Sequence, residues 1–457
     1  MAPTGSSSRR KGGPASENAR RAAGDALLRQ AKRYPDLLSD QPETAGLADN
    51  DAGLADVIYD ASVRRWLTLS ALIERAGERP MARLEPVVRA SLLAGAAQIV
   101  LLDRVPAYAA VGESVAFVKS RGGRRASGLV NAILRKLADA VEPEARETWT
   151  DRDDEVPLSD GRARGFARAV LPDDAVSRLE AQTSVPVSLI ARWTRGRDTE
   201  AATQRALHAL ARPPIVLHTA FAEHSVADTA PHDADGHAVY TGGVDALRTM
   251  LAARGDIWVQ DAASAEPIRL AQEVLGRDAP GRIVDLCAGV GTKTRQLAAA
   301  FPGAQIVASD PDTDRFETLT RAFAGHERVR VVGSDALLGD CLGWADLVVL
   351  DVPCTNSGVL PRRPEARYRV GRSLQRLVDT QRQILADAQR LRSAGGSVLY
   401  ATCSLEPEEN DRQAAWSAKW HGLSVVKSRA TEPRGLAGGE AGSYRDGGFA
   451  AVLRPIG

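Results

Sequence analysis

From about residue 260 onwards, short apolar runs alternate with helical stretches, and this alternation constrains the fold more than any other feature of the chain. The runs are rich in β-branched residues and read, in order, RIVDLC, QIVASD, VRVVGSD, DLVVLD and GSVLYATC. Strands that alternate with helices predict a doubly wound, mostly parallel sheet. Ligands of such sheets bind beyond the carboxyl ends of the strands. Each run ends in an acid or a cysteine, so we expect a functional site along that edge.

The pattern divides the 457-residue chain into five parts, as expected for a length that exceeds one compact core. Residues 1–18 are basic and rich in Ser and Gly, which predicts a disordered tail. Residues 19–140 have a helical rhythm throughout, 141–165 form an acidic linker, and 166–258 predict a small α+β module. Residues 259–457 hold the alternating runs. The expected fold class is therefore multidomain, with an all-α N-terminal domain, a small α+β linker module and an α/β Rossmann-like domain.

Composition excludes several classes of protein. No run of about 18 apolar residues occurs, so we expect no membrane span. The four cysteines form no CxxC pair, which disfavours a zinc site or a disulfide framework and favours a cytoplasmic chain with free thiols. We expect no bound metal ion and a monomer.

A glycine-containing loop, AGVGTKT, follows the first run and precedes a helical stretch. Alone it indicates little, because tight strand-to-helix turns need glycine for other reasons. Acids at the next strand ends strengthen it: Asp310 is placed to bind ribose hydroxyls and Asp335 to lie near an adenine amino group. The phosphate-binding pattern GxxxxGK[ST] is absent, which disfavours a nucleoside triphosphatase. Ribose and adenine contacts without that loop suit S-adenosylmethionine.

Two cysteines follow neighbouring runs, Cys354 in DVPCTNSG and Cys403 in YATCSL. Carbon 5 of cytosine accepts a methyl group from a sulfonium only after a thiolate has added to carbon 6. Such an enzyme needs a cysteine nucleophile, an acid near the N3 edge of the base and a group that assists elimination. Asp351 and the two thiols supply these parts. From the residues alone, which thiol attacks stays open, and either one alone fits a buried, small apolar residue.

These motifs carry a family resemblance. DVPCTNSG and YATCSLEPEEN resemble the D-x-P-C-S-G-x-G and T-C-S-x-x-x-x-E-N elements of RNA cytosine-5 methyltransferases, and VQDAASAEP and GGFAAVLRP are similar to further elements of that family. In the helical region, SLLAGAAQIVLLDRVPAYAAVGESV and GLVNAILRKL resemble the NusB-like RNA-binding domain of the Sun/Fmu group of ribosomal RNA methyltransferases. The resemblance covers nearly the whole chain beyond the tail.

The resemblance implies roles by motif. Cys403 corresponds to the cysteine that attacks carbon 6, Cys354 to the one that assists product release, and Asp351 to the acid that binds the cytosine. Lys293 corresponds to a residue close to the chemistry. The residues implied in binding S-adenosylmethionine are Cys287, Ala288, Gly289, Val290, Gly291, Thr292, Lys293, Asp310, Asp335 and Asp351.

Two loops depart from the family pattern. AGVGTKT stands where the family has A-P-G-G-K-T, but Gly291, Lys293 and Thr294 remain, so we expect cofactor binding to be intact. CTNSG stands where the family has CSGTG, so Asn356 replaces a flexible glycine and changes how base and loop fit.

RNA is the expected partner, because single-stranded loops offer an unstacked base at low cost. The segment RRPEARYRVGR predicts backbone contacts from Arg362, Arg363 and Arg367 and base stacking on Tyr368, although a structural role for Tyr368 fits equally well. The resemblance points to small-subunit (16S) ribosomal RNA. The alternatives are another RNA such as tRNA, or a non-catalytic RNA-binding or ribosome-assembly factor on the same fold.

Overall fold

The computed structural model describes residues 18–195 and 199–456. The predicted basic tail, 1–18, lies almost wholly outside the described residues. Within the described ranges, no helix combines the length and the apolar character that a membrane crossing requires.

Six helices form the N-terminal domain. They are α1 (Ala19–Arg33), α2 (Asp49–Arg64), α3 (Trp66–Gly77), α4 (Pro86–Leu101), α5 (Ala107–Ser120) and α6 (Ser127–Ala140). Helix α4 is the central one, and twelve of its sixteen residues are buried. Its small residues let the neighbours approach: a Cβ added at Gly95 would lie 2.5 Å from Cδ1 of Leu134 on α6. The helical domain is therefore organised around one almost fully enclosed helix.

A short hairpin follows, made of β1 (Glu155–Pro157) and β2 (Ala163–Gly165). It lies within the segment predicted as a linker, and its Val156 is buried in the same apolar core as the six helices, together with Phe166. Arg146, in this segment, forms ion pairs with three of the segment's carboxylates. The segment is thus an ordered extension of the helical domain.

The middle of the chain is a small α+β module. Its elements are α7 (Ala175–Thr183), α8 (Val187–Thr194), α9 (Thr199–His208), β3 (Val216–His218), β4 (Thr229–Pro231), β5 (His237–Tyr240), α10 (Val244–Ala253) and β6 (Trp258–Val259). The four strands form an antiparallel sheet in the order β4-β5-β3-β6.

The C-terminal region is a seven-stranded sheet with helices on both faces. The strands are β7 (Arg282–Asp285), β8 (Gln305–Ala308), β9 (Val329–Val331), β10 (Ala345–Asp351), β11 (Arg392–Thr402), β12 (Leu423–Thr431) and β13 (Gly448–Pro455). The helices are α11 (Ala262–Leu275), α12 (Thr292–Ala300), α13 (Thr313–Ala322), α14 (Ser334–Asp340), α15 (Val370–Leu391) and α16 (Asp411–His421). The order is β12-β13-β11-β10-β7-β8-β9, and β13 runs antiparallel to both of its neighbours.

Alternating side chains of the central strands fill two cores. Ile283 and Leu347 pack with α11, α12 and α13 on one face, whereas Val284 and Val348 pack with α14, α15 and α16 on the other. Burial on both faces explains why these runs are continuously apolar. The predicted multidomain fold class is confirmed, whereas the predicted domain boundaries stay predictions.

Candidate active site

A cavity of about 570 Å³, here called the rim cavity, lies at the carboxyl ends of the parallel strands. The glycine loop (residues 286–291) borders it on one side and the thiol loop (residues 352–358) on another. The helical domain contributes Ser39, from the segment between α1 and α2. The lining residues that matter below are Asp261, Lys293, Asp351, Asn356, Arg362, Arg363, Cys403 and Asp446.

The glycine loop is shaped by two residues in the left-handed region. Gly289 has φ +59° and Gly291 has φ +91°, conformations that other residues rarely adopt. A Cβ at Gly291 would lie 2.5 Å from the ring of Phe323, whereas a Cβ at Gly289 would meet nothing within 4 Å. Gly291 therefore permits close packing, and Gly289 keeps a stretch of backbone open to the rim cavity.

The residues predicted to bind the cofactor are only partly brought together. Ala288, Gly289, Val290, Thr292 and Lys293 line the rim cavity, all on one side of it. This is the end of the loop from which α12 begins.

Asp351 also lines the rim cavity, whereas Asp310, Cys287 and Asp335 do not. Asp310 is buried at the end of β8, where its Oδ2 accepts a hydrogen bond from the Gly289 amide at 2.8 Å. Cys287 is part of the glycine loop but does not line the rim cavity, and burial raises the pKa of its thiol. Asp335 is exposed in the first turn of α14 and does not line the rim cavity. The predicted adenine contact of Asp335 therefore finds no support in the geometry.

Lys293 and Asp351 form an ion pair inside the rim cavity. The Lys293 ammonium donates to Oδ2 of Asp351 at 2.8 Å and to Oγ of Ser264 at 3.2 Å. Burial alone would lower the pKa of Lys293, but the neighbouring Asp351 carboxylate outweighs it, and the pKa is raised. Lys293 is therefore a fixed cation that orients the carboxylate at the end of β10.

The two cysteines meet because β10 and β11 are parallel neighbours, with Asp351 opposite Ala401. Their Sγ atoms lie 3.2 Å apart. Cys354 is buried, and both the adjacent Cys403 thiol and burial raise the pKa of Cys354 well above its usual range. Cys403 is half-buried and lines the rim cavity, and Cys354 does not. The geometry thus presents one reactive thiol to a ligand and keeps the other behind it.

A buried polar network that the sequence analysis missed holds the thiol loop. Glu409 is fully buried, and its carboxylate accepts hydrogen bonds from the Thr355 amide at 3.0 Å and from the Gln381 side chain at 3.0 Å. Ser357 Oγ accepts from the Leu405 amide at 2.8 Å. Glu409 belongs to the T-C-S-x-x-x-x-E-N element, so the motif contained the signal without revealing its role.

Arg362 lies between two acids of the rim cavity. Its guanidinium donates to Asp446 at 2.6 Å and to Asp261 at 3.1 Å. Burial raises the pKa of Asp446 to about 6, and the nearby Asp261 adds to this. Arg363 also lines the cavity. These positions are compatible with the predicted contact of both arginines with RNA, which stays a prediction.

The prediction of RNA contacts is wrong for Arg367 and Tyr368, because both are buried between domains. Arg367 is 1% exposed, and its guanidinium donates to four backbone carbonyls, including that of Arg64 in the helical domain. The Tyr368 hydroxyl donates to the Val63 carbonyl at 2.6 Å. Both side chains fasten the helical domain to the sheet domain.

Asp285, at the end of β7, is a second acid that the sequence analysis did not single out. It is fully buried behind the glycine loop, and its Oδ2 accepts a hydrogen bond from Thr294 at 2.7 Å. Burial raises the pKa of Asp285 to about 7, and its Oδ1 has no hydrogen-bond partner. Strand-end position was the available signal, since this acid closes the run RIVD.

Comparison with known proteins gives two family matches. Residues 273–448 match the family of the 16S rRNA methyltransferase RsmB/F, and residues 17–139 match the NusB family. Together the two matches span more than half of the chain.

Relatives match over most of their length. The ribosomal RNA small subunit methyltransferase B of Vibrio cholerae is 28% identical, over 95% of this chain and 97% of its own. The enzyme of the same name from Xanthomonas campestris is 28% identical, over 78% of this chain and 74% of its own. The crystal structure of PH0851 shares the fold, with a TM-score of 0.66, 20% identity, and coverage of 95% of this chain and 98% of that one.

The matches confirm the predicted resemblance and the predicted enzyme class, an RNA methyltransferase. Residues 273–448 are therefore similar to the RsmB/F family of 16S rRNA methyltransferases, and residues 17–139 are similar to the NusB family.

Proposed function

We propose that the protein methylates carbon 5 of a cytosine in RNA through a covalent bond between Cys403 and carbon 6 of the base. The observation that carries the proposal is the thiol pair: Cys403 lines the rim cavity, and Cys354 is buried 3.2 Å behind it. The Lys293–Asp351 ion pair lines the same cavity, which brings a nucleophile and an oriented carboxylate to one place.

The rim cavity suits S-adenosylmethionine as the methyl donor. The open backbone at Gly289, beyond which a Cβ would meet nothing within 4 Å, leaves room for a ligand to lie against the loop. The Asp310 carboxylate accepts a hydrogen bond from the Gly289 amide and so fixes that backbone. Residues 288–290 and Thr292 line the adjacent side of the rim cavity. These residues would hold the cofactor, whose sulfonium supplies an electrophilic methyl group when it is bound.

The roles of the chain's own residues follow from their positions. The Cys403 thiolate forms a bond to carbon 6, and the electron pair of the carbon 5–carbon 6 double bond then makes carbon 5 nucleophilic. Asp351, fixed by Lys293, hydrogen-bonds the polar edge of the cytosine. After methylation, water accepts the proton on carbon 5 as the double bond re-forms and the Cys403 thiolate is expelled, and the Cys354 thiol, 3.2 Å away, assists this release by donating to the departing sulfur.

We propose small-subunit ribosomal RNA as the substrate, since the relatives from Vibrio cholerae and Xanthomonas campestris carry that target in their names. The target base must leave its stack to reach Cys403. Arg362 and Arg363, at the cavity, are the proposed RNA contacts, and we divide the chain into a helical domain at 19–140 and a catalytic domain at 259–457. The four cysteines are free thiols, which supports a cytoplasmic site of action.

Substitution of the two thiols tests the mechanism. Cys403→Ala should abolish methyl transfer to RNA, because it removes the thiol that lines the rim cavity and bonds to carbon 6. Cys354→Ala should accumulate a covalent protein–RNA adduct that migrates slowly on a denaturing gel, because attack proceeds and release is impaired. Cys341→Ala is the matched control: Cys341 is buried beside α14, outside the rim cavity, and its variant should keep activity.

An adduct that forms in Cys403→Ala and disappears in Cys354→Ala would reverse the two roles. If calorimetric titration shows no binding of S-adenosylmethionine, the proposed activity is wrong and a non-catalytic RNA-binding factor is favoured.

Bisulfite sequencing of ribosomal RNA tests the substrate. A deletion strain should lose one 5-methylcytosine in the small-subunit RNA, and the wild-type gene, but not the Cys403→Ala form, should restore it. Loss of the mark from a tRNA instead would redirect the proposal to that RNA.

A further inference from the structure

Asn356 stands at the one place in the thiol loop where the chain replaces a flexible glycine with a polar side chain. Its φ is +60°, in the left-handed region that glycine adopts most readily and asparagine tolerates better than most residues. The backbone has therefore kept the conformation that a glycine would have, and the side chain is an addition to it.

The added amide bridges the two cysteines. Its Nδ2 donates to the backbone carbonyl of Cys354 at 2.9 Å. Its Oδ1 accepts the thiol hydrogen of Cys403, with Sγ and Oδ1 3.2 Å apart. A carbonyl oxygen can only accept, which requires the NH₂ end to face Cys354 and leaves the oxygen end for Cys403. The orientation of the amide is thus determined by its own partners.

This contact belongs to the resting enzyme. Cys403 has to lose its proton before it can attack, and an amide oxygen cannot accept that proton covalently. The hydrogen bond to Oδ1 uses the thiol hydrogen, and a sulfur without that hydrogen would face the negative end of the amide dipole. The bond must therefore break on the way to the reaction. Asn356 and Cys403 both line the rim cavity, so an incoming base has to displace the hydrogen bond between them.

We propose that Asn356 is a positioning residue that restrains the Cys403 thiol in the free enzyme, holding it hydrogen-bonded and turned towards the thiol loop until substrate enters the rim cavity. The proposal rests on the proposed function, in which Cys403 is the nucleophile. Cys354 fits the arrangement, since its raised pKa keeps it a thiol, able to donate its own hydrogen to the sulfur of Cys403.

Alkylation of the free enzyme by iodoacetamide, with each thiol followed by mass spectrometry, tests the restraint. Asn356→Gly keeps the backbone conformation and removes the acceptor, so it should speed alkylation of Cys403 by about two- to tenfold, as expected for the loss of one hydrogen bond. Asn356→Asp keeps an acceptor of the same size and adds a negative charge, so Cys403 should react no faster than in the wild type.

A control separates the restraint from a loosened loop. Ser357→Ala removes the hydrogen bond to the Leu405 amide without touching either thiol, and it should leave the alkylation rate of Cys403 within about twofold of the wild type. Cys354 should react at an unchanged rate in Asn356→Gly, whereas general loosening would speed both thiols together.

Two results overturn the inference: unchanged or slower alkylation of Cys403 in Asn356→Gly, or equal acceleration in Asn356→Gly and Asn356→Asp. Failure of the proposed function is a different observation, namely methyl transfer by Cys403→Ala. That outcome would leave a restrained thiol that is not the nucleophile.

Discussion

The glycine loop and the thiol loop lie at the same edge of the same sheet, and both depart from the family pattern, yet they are held in different ways. The glycine loop takes its shape from backbone conformation, with positive φ at Gly289 and Gly291. The thiol loop is held by side chains: Thr355 binds Glu409, and Asn356 bridges the two cysteines. One loop leaves room for a ligand, and the other fixes reactive atoms.

The difference teaches where sequence change is tolerated. A loop held by backbone conformation can lose the proline of A-P-G-G-K-T as long as its left-handed positions stay glycine. A loop held by side chains changes its chemistry with each substitution. Substitutions on the glycine side should therefore affect ligand binding and stability, and substitutions on the thiol side should affect the reaction or the network that supports the thiol loop.

The largest effect should follow Asp351→Asn. This change removes the carboxylate that faces the base and leaves the buried Lys293 ammonium without its charged partner. Methyl transfer in a single turnover should fall by about 10²- to 10³-fold, the range for loss of one oriented hydrogen-bonding group at the reacting centre, while binding of S-adenosylmethionine falls less. Asp346→Asn, at the opposite end of the same strand and paired with Arg282, is the control and should keep full activity. Equal rates for the two variants would remove Asp351 from the mechanism.

Next comes Glu409→Ala, which deletes the buried acceptor that holds the thiol loop. The Thr355 amide and the Gln381 side chain lose their partner, so the free energy of unfolding should fall by about 2–4 kcal/mol in urea denaturation. Glu408→Ala is the adjacent control: Glu408 pairs with Arg192 near the surface, and its loss should cost less than about 1 kcal/mol. Similar losses in the two variants would contradict a supporting role for the buried network.

A smaller effect is expected for Gly291→Ala. The new methyl group would lie 2.5 Å from the Phe323 ring and 2.9 Å from Leu319, at a φ that alanine resists. The free energy of unfolding should fall by about 2–3 kcal/mol, measured by thermal denaturation.

Gly289→Ala is the matched partner of that variant. It should have a smaller effect on stability and a larger effect on cofactor binding. It has space for a methyl group and should cost about 1 kcal/mol of stability, but the methyl group faces the rim cavity. Calorimetry should therefore show a loss of about tenfold in affinity for S-adenosylmethionine, close to 1.4 kcal/mol. Unchanged affinity would place the cofactor away from Gly289.

The smallest effect on methyl transfer is expected from Asp285 on the glycine side, where the change is a pH dependence of stability. Its pKa of about 7 in the folded protein lies above the ordinary value near 3.9 of the unfolded chain. The folded state therefore binds this proton more tightly, and the stability that it contributes is full below pH 4 and is lost as the pH rises to 7. Relative to Asp285→Asn, the wild type should lose about 3 kcal/mol between pH 4 and pH 7 in urea denaturation. Parallel pH profiles would contradict a neutral, buried Asp285.

The sequence alone predicted the positions of those site residues that directly follow strands. Parallel strands bring their carboxyl ends to one edge, so Asp351 and Cys403 could be placed together from the runs that precede them. Burial between distant segments could not be predicted. From the sequence, Arg367 looks like an exposed cation and Tyr368 like an exposed aromatic residue, but the helical domain, including Val63, covers both. The role of Glu409 was equally hidden, since its partner Gln381 comes from a helix outside the motif.

The anchoring of Arg367 has a consequence for protein engineering. Its guanidinium donates to carbonyl oxygens of Arg64, Thr183, Ala209 and Leu360, which come from the helical domain, the middle module and the sheet domain. A truncated sheet domain would keep the cation and lose three of its four acceptors. The methyltransferase domain therefore cannot be isolated without leaving this buried cation short of hydrogen-bond acceptors. A chimaera with another RNA-binding domain has to supply backbone carbonyls at the same junction.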